Sequence, residues 1–293
     1  MHIPVLLQEV LDALKLHKGD IYVDGTLGGG GHARAVCDRF PGVSIVGVDQ
    51  DQNAFIRAGE KLAGCQTVFL EGNFRHMDVL LEKGGISAPQ AILLDIGVSS
   101  FQLDEDPRGF SWRRNEPLLM TMKKDLVEDD TTARDIVNTW SEETLKTIFY
   151  GFGEERYAGR IARAIVDARV LAPIETTDDL VSIITRAVPV SYQKGKIHPA
   201  TRVFQALRIA VNDELEALKE GIEKSFNVLA PGGKLLVITF HSLEDRIVKH
   251  FFKDLENREQ GVLFTKKPIT ATDEELAINP RSRSAKLRII TKN

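Results

Sequence analysis

Ile21-Tyr22-Val23-Asp24-Gly25-Thr26-Leu27-Gly28-Gly29-Gly30-Gly31-His32 is the stretch on which the fold turns. An apolar run closes on an acid and passes at once into a loop carrying five glycines. Unbroken runs of branched and aliphatic residues are what strands buried on both faces require. The pattern recurs at Ser44-Ile45-Val46-Gly47-Val48-Asp49, Thr67-Val68-Phe69-Leu70 and Ala91-Ile92-Leu93-Leu94-Asp95. Between the first three runs, the segments near 32–40 and 52–63 are long enough for helices. Strand alternating with helix predicts an α/β fold, a doubly wound parallel sheet with helices on both sides.

The pattern stops near Asp106. From there to Pro199 no strand is predicted, and helix starts stand at Ser141, along Glu154 to Arg169, and at Thr176, with Asp179 three residues later. The chain therefore divides into a core segment 1–105, an inserted all-helical domain 106–199, and a second core segment 200–293. Arg202 to Leu229 reads as one long amphipathic helix. Ala230-Pro231-Gly232-Gly233 then turns the chain into a strand, Lys234 to Phe240. The last two strand candidates, Val262 to Thr265 and Ala285 to Thr291, lack a crossover helix between them and would pair antiparallel.

The 293 residues carry 38 basic and 42 acidic side chains, a net charge of -4, and 43% apolar residues. Such a composition excludes a disordered chain and a cysteine-stapled module. It also confines nucleic-acid contacts to local patches. Arg113-Arg114, Lys123-Lys124, Lys266-Lys267 and a tail with Arg281, Arg283, Lys286, Arg288 and Lys292 are the candidates for phosphate contacts, the alternative for the tail being pairing with acids elsewhere that ties the last hairpin down. Cys37 and Cys65 form no CxxC pair; of the two readings open, a single disulfide or two free buried thiols in a reducing compartment, the second is favoured. No run approaches the length of a membrane span. The N-terminus lacks a basic leading region and is interrupted by Glu9 and Asp12, so a cytoplasmic protein without a membrane partner is expected. The seven histidines are scattered and form no HExxH, so no metal is expected.

Glycines in the first loop let backbone approach a ligand without Cβ clashes. Asp49 ends the second strand, where a carboxylate can accept hydrogen bonds from both hydroxyls of a ribose. Gly28-x-Gly30-x-x-Ala33 also satisfies a dinucleotide fingerprint, so NAD and S-adenosylmethionine both come into question. Three features favour S-adenosylmethionine: Asp24 leading the loop, Asp95-Ile96-Gly97-Val98-Ser99-Ser100 ending the fourth strand, and the closing antiparallel hairpin. Asp95 is the candidate catalytic residue, placed to contact the cofactor, a substrate amine, or both. The Asp/Asn-Pro-Pro-aromatic tetrad of amino-methyltransferases is absent. Methylation at cytosine C5 needs a cysteine near the fourth or fifth strand, and neither cysteine lies there. Spacing alone does not separate adenine N6 from cytosine N4. Phe74 can cover an adenine or sit in the core, and His241 reads as structural.

Several longer stretches carry a resemblance. They are His2-Ile3-Pro4-Val5-Leu6, the glycine loop through His32, and Leu93-Leu94-Asp95-Ile96-Gly97-Val98-Ser99-Ser100-Phe101-Gln102-Leu103-Asp104. Further on come Arg108-Gly109-Phe110-Ser111, Tyr150-Gly151-Phe152-Gly153-Glu154-Glu155-Arg156 and His198 to Ile209. The chain ends with Phe240-His241-Ser242-Leu243-Glu244-Asp245-Arg246 and Asn279 to Arg288. In these the chain resembles the ribosomal small-subunit RNA cytosine-N4 methyltransferases, RsmH or MraW, throughout its length. The resemblance implies methyl transfer from S-adenosyl-L-methionine to the exocyclic amine of a cytidine in the decoding region of 16S ribosomal RNA. It implies the small ribosomal subunit as partner, and a Rossmann-like class I methyltransferase sheet split by a helical substrate-recognition insertion; a homodimer is compatible with it. Cofactor contacts carried over fall on Gly30, Gly31, His32, Asp49, Phe74, Asp95 and Gln102. One segment departs from the family pattern, which would place an aspartate at Leu119 and an arginine at Thr121.

Overall fold

The computed structural model describes residues 3–98, 101, 107–123, 126–127 and 130–293. The chain forms two compact units, Met1–Gly97 with Leu215–Asn293, and Val98–Glu214. Where the sequence divides at 105/106 and 199/200, the units divide at 97/98 and 214/215. The second cut moves because Ala200, Val203, Phe204, Ala206 and Leu207 are buried in the helical core.

The first unit runs α1 (Leu7–Ala13), β1 (Ile21–Asp24), α2 (Gly31–Arg39), β2 (Ser44–Asp49), α3 (Gln52–Lys61), β3 (Thr67–Glu71), α4 (Met77–Lys83) and β4 (Ala91–Asp95). The second unit holds α5 (Ala133–Thr139), α6 (Glu142–Gly151), α7 (Ala158–Arg169), α8 (Thr177–Ala187), α9 (Val190–Gln193) and α10 (Ala200–Asn212). The chain then returns through α11 (Glu214–Val228), β5 (Lys234–Thr239), α12 (Ser242–Asn257), β6 (Gly261–Leu263), α13 (Asp273–Ile278) and β7 (Lys286–Lys292). The seven strands take the order β3-β2-β1-β4-β5-β7-β6. β1 to β5 are parallel, and β7 is antiparallel to both β5 and β6. Alternate side chains serve opposite faces of a sheet. Tyr22, Ile45, Leu93 and Leu236 join one core with Val10, Ala33 and Val36. Val23, Val46, Ile92, Leu94 and Val237 join the other with Met77, Leu218, Ile222 and Phe252. Both faces are covered, so the strands read as unbroken apolar runs.

Helix starts in the second unit follow side-chain caps. Thr132 and Thr176 form capping boxes with Asp135 and Asp179, and Ser141 accepts from the Thr144 amide. The segment from Glu154 enters helix only at Ala158, because Glu154 takes a left-handed φ of 49° and the buried Glu155 carboxylate accepts from Tyr157 N and Tyr192 Oη. Leu119 and Thr121 lie in a loop closed without the acid/base pair. Arg108 Nη1 donates to the carbonyls of Thr121 and Met122, while Asn212 donates to Met120 O and accepts from Met122 N.

Three expectations are corrected. The long helix breaks at Asp213, whose left-handed φ of 49° ends α10. Arg208 meets Glu214 with two hydrogen bonds of 2.7 and 2.8 Å across that break. Cys37 and Cys65 are joined in a disulfide, since the last turn of α2 and the turn between α3 and β3 bring their Cα atoms to 6.2 Å. Cross-linking residues 28 apart restricts the unfolded chain. Reduction is expected to lower stability by about 3–4 kcal/mol. Denaturant midpoints with and without reductant test this, and an unchanged midpoint refutes it. Finally, three of the five tail cations tie down the hairpin. Lys286 and Arg288 bond Asp245 at 3.0 and 2.7 Å, and Lys292 Nζ donates to the carbonyls of Asn227 and Leu229. Burial would raise the Asp245 carboxyl, but the bonds from Arg288 and Lys286 prevail and hold it below the usual range.

Candidate functional site

β1, β2 and β4 are parallel neighbours, and each ends in an aspartate. Asp24, Asp49 and Asp95 therefore gather at the carboxyl edge of the first unit's sheet, where doubly wound folds bind ligands. The glycine loop crosses this edge between β1 and α2. Gly30 caps α2 with a φ of 69°, and a Cβ there would stand 3.0 Å from Ala58 Cβ. A Cβ on Gly31 would meet Pro4 Cγ at 2.6 Å, so the segment before α1 lies directly on the loop.

Asp49 organises the loop. Its Oδ2 accepts from Gly28 N at 2.8 Å and its Oδ1 from Asp51 N at 2.9 Å. Burial pushes this carboxyl above the usual range, against the lowering effect of those two amides. A carboxylate has roughly four lone-pair sites, so capacity remains for ribose hydroxyls. Asp24 is buried, and Thr26 N reaches its Oδ1 at 3.3 Å. Burial, with the Asp49 charge adding, pushes Asp24 up to about 7.

Asp95 is held by its backbone: its amide donates to Thr26 Oγ1 at 2.7 Å. Its Oδ1 is buried and has no hydrogen-bond partner among the described residues. Its Oδ2 lies 3.8 Å from Nδ1 of the buried His32. His32 Nε2 is 2.9 Å from the Val5 carbonyl, which can only accept, so Nε2 carries a proton and the ring is fixed beside Asp95. Burial, then the charges of Asp24 and Glu244, push Asp95 up to about 8. The Tyr22 hydroxyl, buried and without a hydrogen-bond partner among the described residues, is raised by burial and by Asp24 and Asp95.

The structure thus brings Gly30, Gly31, His32, Asp49 and Asp95 together. Phe74 follows Asn73 in a 3-10 turn and is half-buried. Its ring rests on α11, where a Cβ on Gly221 would come within 2.3 Å of it. Gln102 lies outside the described residues, as do Ser99 and Ser100. His241 caps α12: its Nδ1 accepts from Glu244 N at 3.4 Å, and Glu244 Oε2 accepts from His241 N at 3.2 Å. The contact that sequence reasoning missed is Val5 with His32; the only signal for it was the Pro4-Val5-Leu6 motif beside an otherwise unexplained histidine.

S-adenosylmethionine suits this donor set. The loop offers amides without side chains, Asp49 offers acceptors, and Asp95 offers an unpartnered oxygen toward a cationic group. A 3-2-1-4-5-7-6 sheet with a reversed seventh strand, a glycine loop after β1 and an acid ending β2 define the class, an S-adenosylmethionine-dependent methyltransferase of class I fold. Within that class the chain belongs to the MraW methylase family, whose match covers residues 1–293. It is 53% identical over 288 residues to the ribosomal RNA small subunit methyltransferase H of Deinococcus deserti, covering 98% of this chain and 92% of that protein. The protein of the same name from Deinococcus radiodurans is 50% identical, covering 98% and 88%. That of Symbiobacterium thermophilum is 47% identical, covering 99% and 96%.

Asp49→Ala removes the acceptor to which the ribose hydroxyls are assigned. The expected loss is roughly 1.5–3 kcal/mol of cofactor affinity, as for hydrogen bonds to a charged group. Calorimetric titration with S-adenosylhomocysteine measures it. Unchanged affinity in a folded variant refutes the assignment.

Proposed function

We propose that this chain methylates the exocyclic N4 amine of a cytidine in the decoding region of small-subunit ribosomal RNA, with the small ribosomal subunit as its partner. The observation that carries this reading is Asp95, an acid at the end of β4 beside the glycine loop, with a buried oxygen that has no partner among the described residues. When bound, S-adenosylmethionine supplies an electrophilic methyl on a sulfonium.

Cytosine N4 is a weak nucleophile, because its lone pair is delocalised into the ring. Asp95 Oδ1 accepts a hydrogen bond from the amine, which draws that lone pair out of conjugation, and takes the proton released as nitrogen becomes cationic. His32 stands beside the same carboxyl with its ring fixed by Val5 O. The loop amides and Asp49 orient the nucleoside, and Phe74 provides a wall for the adenine. The helical unit recognises the RNA. A target base must leave its stack to reach such a site.

The experiment is methyl transfer from labelled cofactor to purified small subunits, followed by mass spectrometry of the nucleosides. N4-methylcytidine is expected in the decoding region. Label at adenine N6 or cytosine C5, or no transfer to any small-subunit preparation, overturns the reading.

A further inference from the structure

We propose that the stacked pair Trp112 and His198 on the helical unit, with Arg113, Lys194 and Lys196, receives an unpaired base of the RNA and its flanking phosphates. The proposal rests on the reading of RNA as substrate and names where the second unit holds it. The two rings lie 3.9 Å apart between centroids, with planes 8° from parallel. Both are half-buried: Trp112 packs against the core of the unit, and the stack keeps part of its area at the surface. His198 is set in place by the Ala200 amide, which donates to Nδ1 at 3.2 Å and leaves the proton on Nε2. Burial holds its pKa below the ordinary histidine value, so the ring is uncharged at neutral pH. A neutral, oriented heteroaromatic stack is a surface on which any base finds a π-face.

The cations around it are arranged for phosphate. Arg113 is exposed, and its guanidinium carbon stands 5.4 Å from the Trp112 ring centroid. Its neighbours are committed elsewhere: Arg114 pairs with Glu116 at 2.8 Å, and Arg108 serves the carbonyls of the loop. Among the described residues no acid pairs with Arg113, so it is a cover that a base can replace. Once displaced, the guanidinium is free to meet the adjoining phosphate. Residues 180–212 contain no Asp or Glu at all. Within that stretch Lys194 and Lys196 are exposed, four and two residues before His198. Their backbone therefore lies within about 14 Å of it. An acidic peptide would use these cations but has no need of the planar pair, whereas single-stranded RNA uses both.

The test replaces Trp140 by Phe, which leaves Trp112 the only tryptophan of the two. Titration with an unstructured oligocytidylate RNA, and then with purified small subunits, is expected to quench the Trp112 emission. Trp112→Ala is expected to weaken RNA binding by about 5- to 150-fold, the range for losing one base–aromatic stack. Trp112→Phe is expected to keep most of the affinity. Arg113→Ala is expected to flatten the slope of log affinity against log salt by about one. Affinity for S-adenosylhomocysteine is expected to be the same in all of these variants. Unquenched emission at saturation, or a folded Trp112→Ala protein that binds RNA like the wild type, overturns the proposal. If Trp112→Ala melts early, the emission titration and the Arg113→Ala slope decide. A wild-type protein that binds neither RNA nor small subunits overturns the functional reading as well, and so is distinguishable from failure of the stack alone.

Discussion

Asp95→Asn is expected to slow methyl transfer by about 10²–10⁴-fold, the range for loss of a positioned proton acceptor. The same change is expected to raise the melting temperature at pH 7 to 8. Asn keeps the size and shape of the side chain, and the Asp95 amide keeps its bond to Thr26 Oγ1. What disappears is a carboxyl that burial, Asp24 and Glu244 push up to about 8. An unfolded aspartate titrates near about 4. Between those values the folded state holds a proton that the unfolded state releases, so stability falls as pH rises through the window. The Asn variant lacks that slope. Its advantage over the wild type is therefore small at pH 4 to 5 and grows toward pH 8. Single-turnover transfer to saturating small subunits, run beside melts at pH 5 and 8, reads both effects. Normal turnover removes Asp95 from the reaction; a lowered melting temperature at pH 8 removes the account of its burial.

The same contrast explains what the sequence discloses. Parallel strands covered on both faces must be apolar throughout, so Ser44 to Asp49 and Ala91 to Asp95 announce themselves. The glycine loop is legible because Gly30 needs its positive φ and Gly31 its contact with Pro4. Asp49 and Asp95 are legible as the last residues of such runs. Less local facts are not. Val211 and Leu215 continue one amphipathic pattern through Asp213, and the break there lies in the left-handed backbone of Asp213, across which Arg208 meets Glu214. The disulfide depends on the end of α2 meeting the turn before β3, which no spacing of Cys37 and Cys65 reveals. Charge patterning shows an acid-free tail, yet the partner of Lys286 and Arg288 is Asp245, on a helix far back in the chain. The unpartnered Oδ1 of Asp95 is likewise a property of packing, visible only once the loop, α2 and β4 are assembled.

Binding of S-adenosylmethionine is expected to strengthen by roughly 50- to 100-fold between pH 6 and pH 8.5, and binding of S-adenosylhomocysteine by much less. Burial pushes Asp24 up to about 7, against the amides of Thr26 and Ala33 and with help from Asp49. Asp95, at about 8, is the more reluctant acid. At pH 6 both are protonated in most molecules, and at pH 8.5 both are ionised in most. The two ligands share the ribose, the adenine and the amino-acid charges, and they differ by the methyl and the single positive charge of the sulfonium. An affinity that requires ionised Asp95 scales with its ionised fraction, about one part in a hundred two units below the pKa. Opposite charge beside the carboxyl favours ionisation, so binding the sulfonium must expel a proton near neutral pH. Calorimetry in two buffers of different ionisation enthalpy counts that proton directly. Asp95→Asn should flatten the curve for S-adenosylmethionine and leave the one for S-adenosylhomocysteine nearly as it was. Parallel pH curves for the two ligands in the wild type would place the sulfonium away from Asp95. The carboxyl would then hold the substrate amine alone, and the proton it accepts in the reaction would have to be accommodated by an acid that the cofactor had not first discharged.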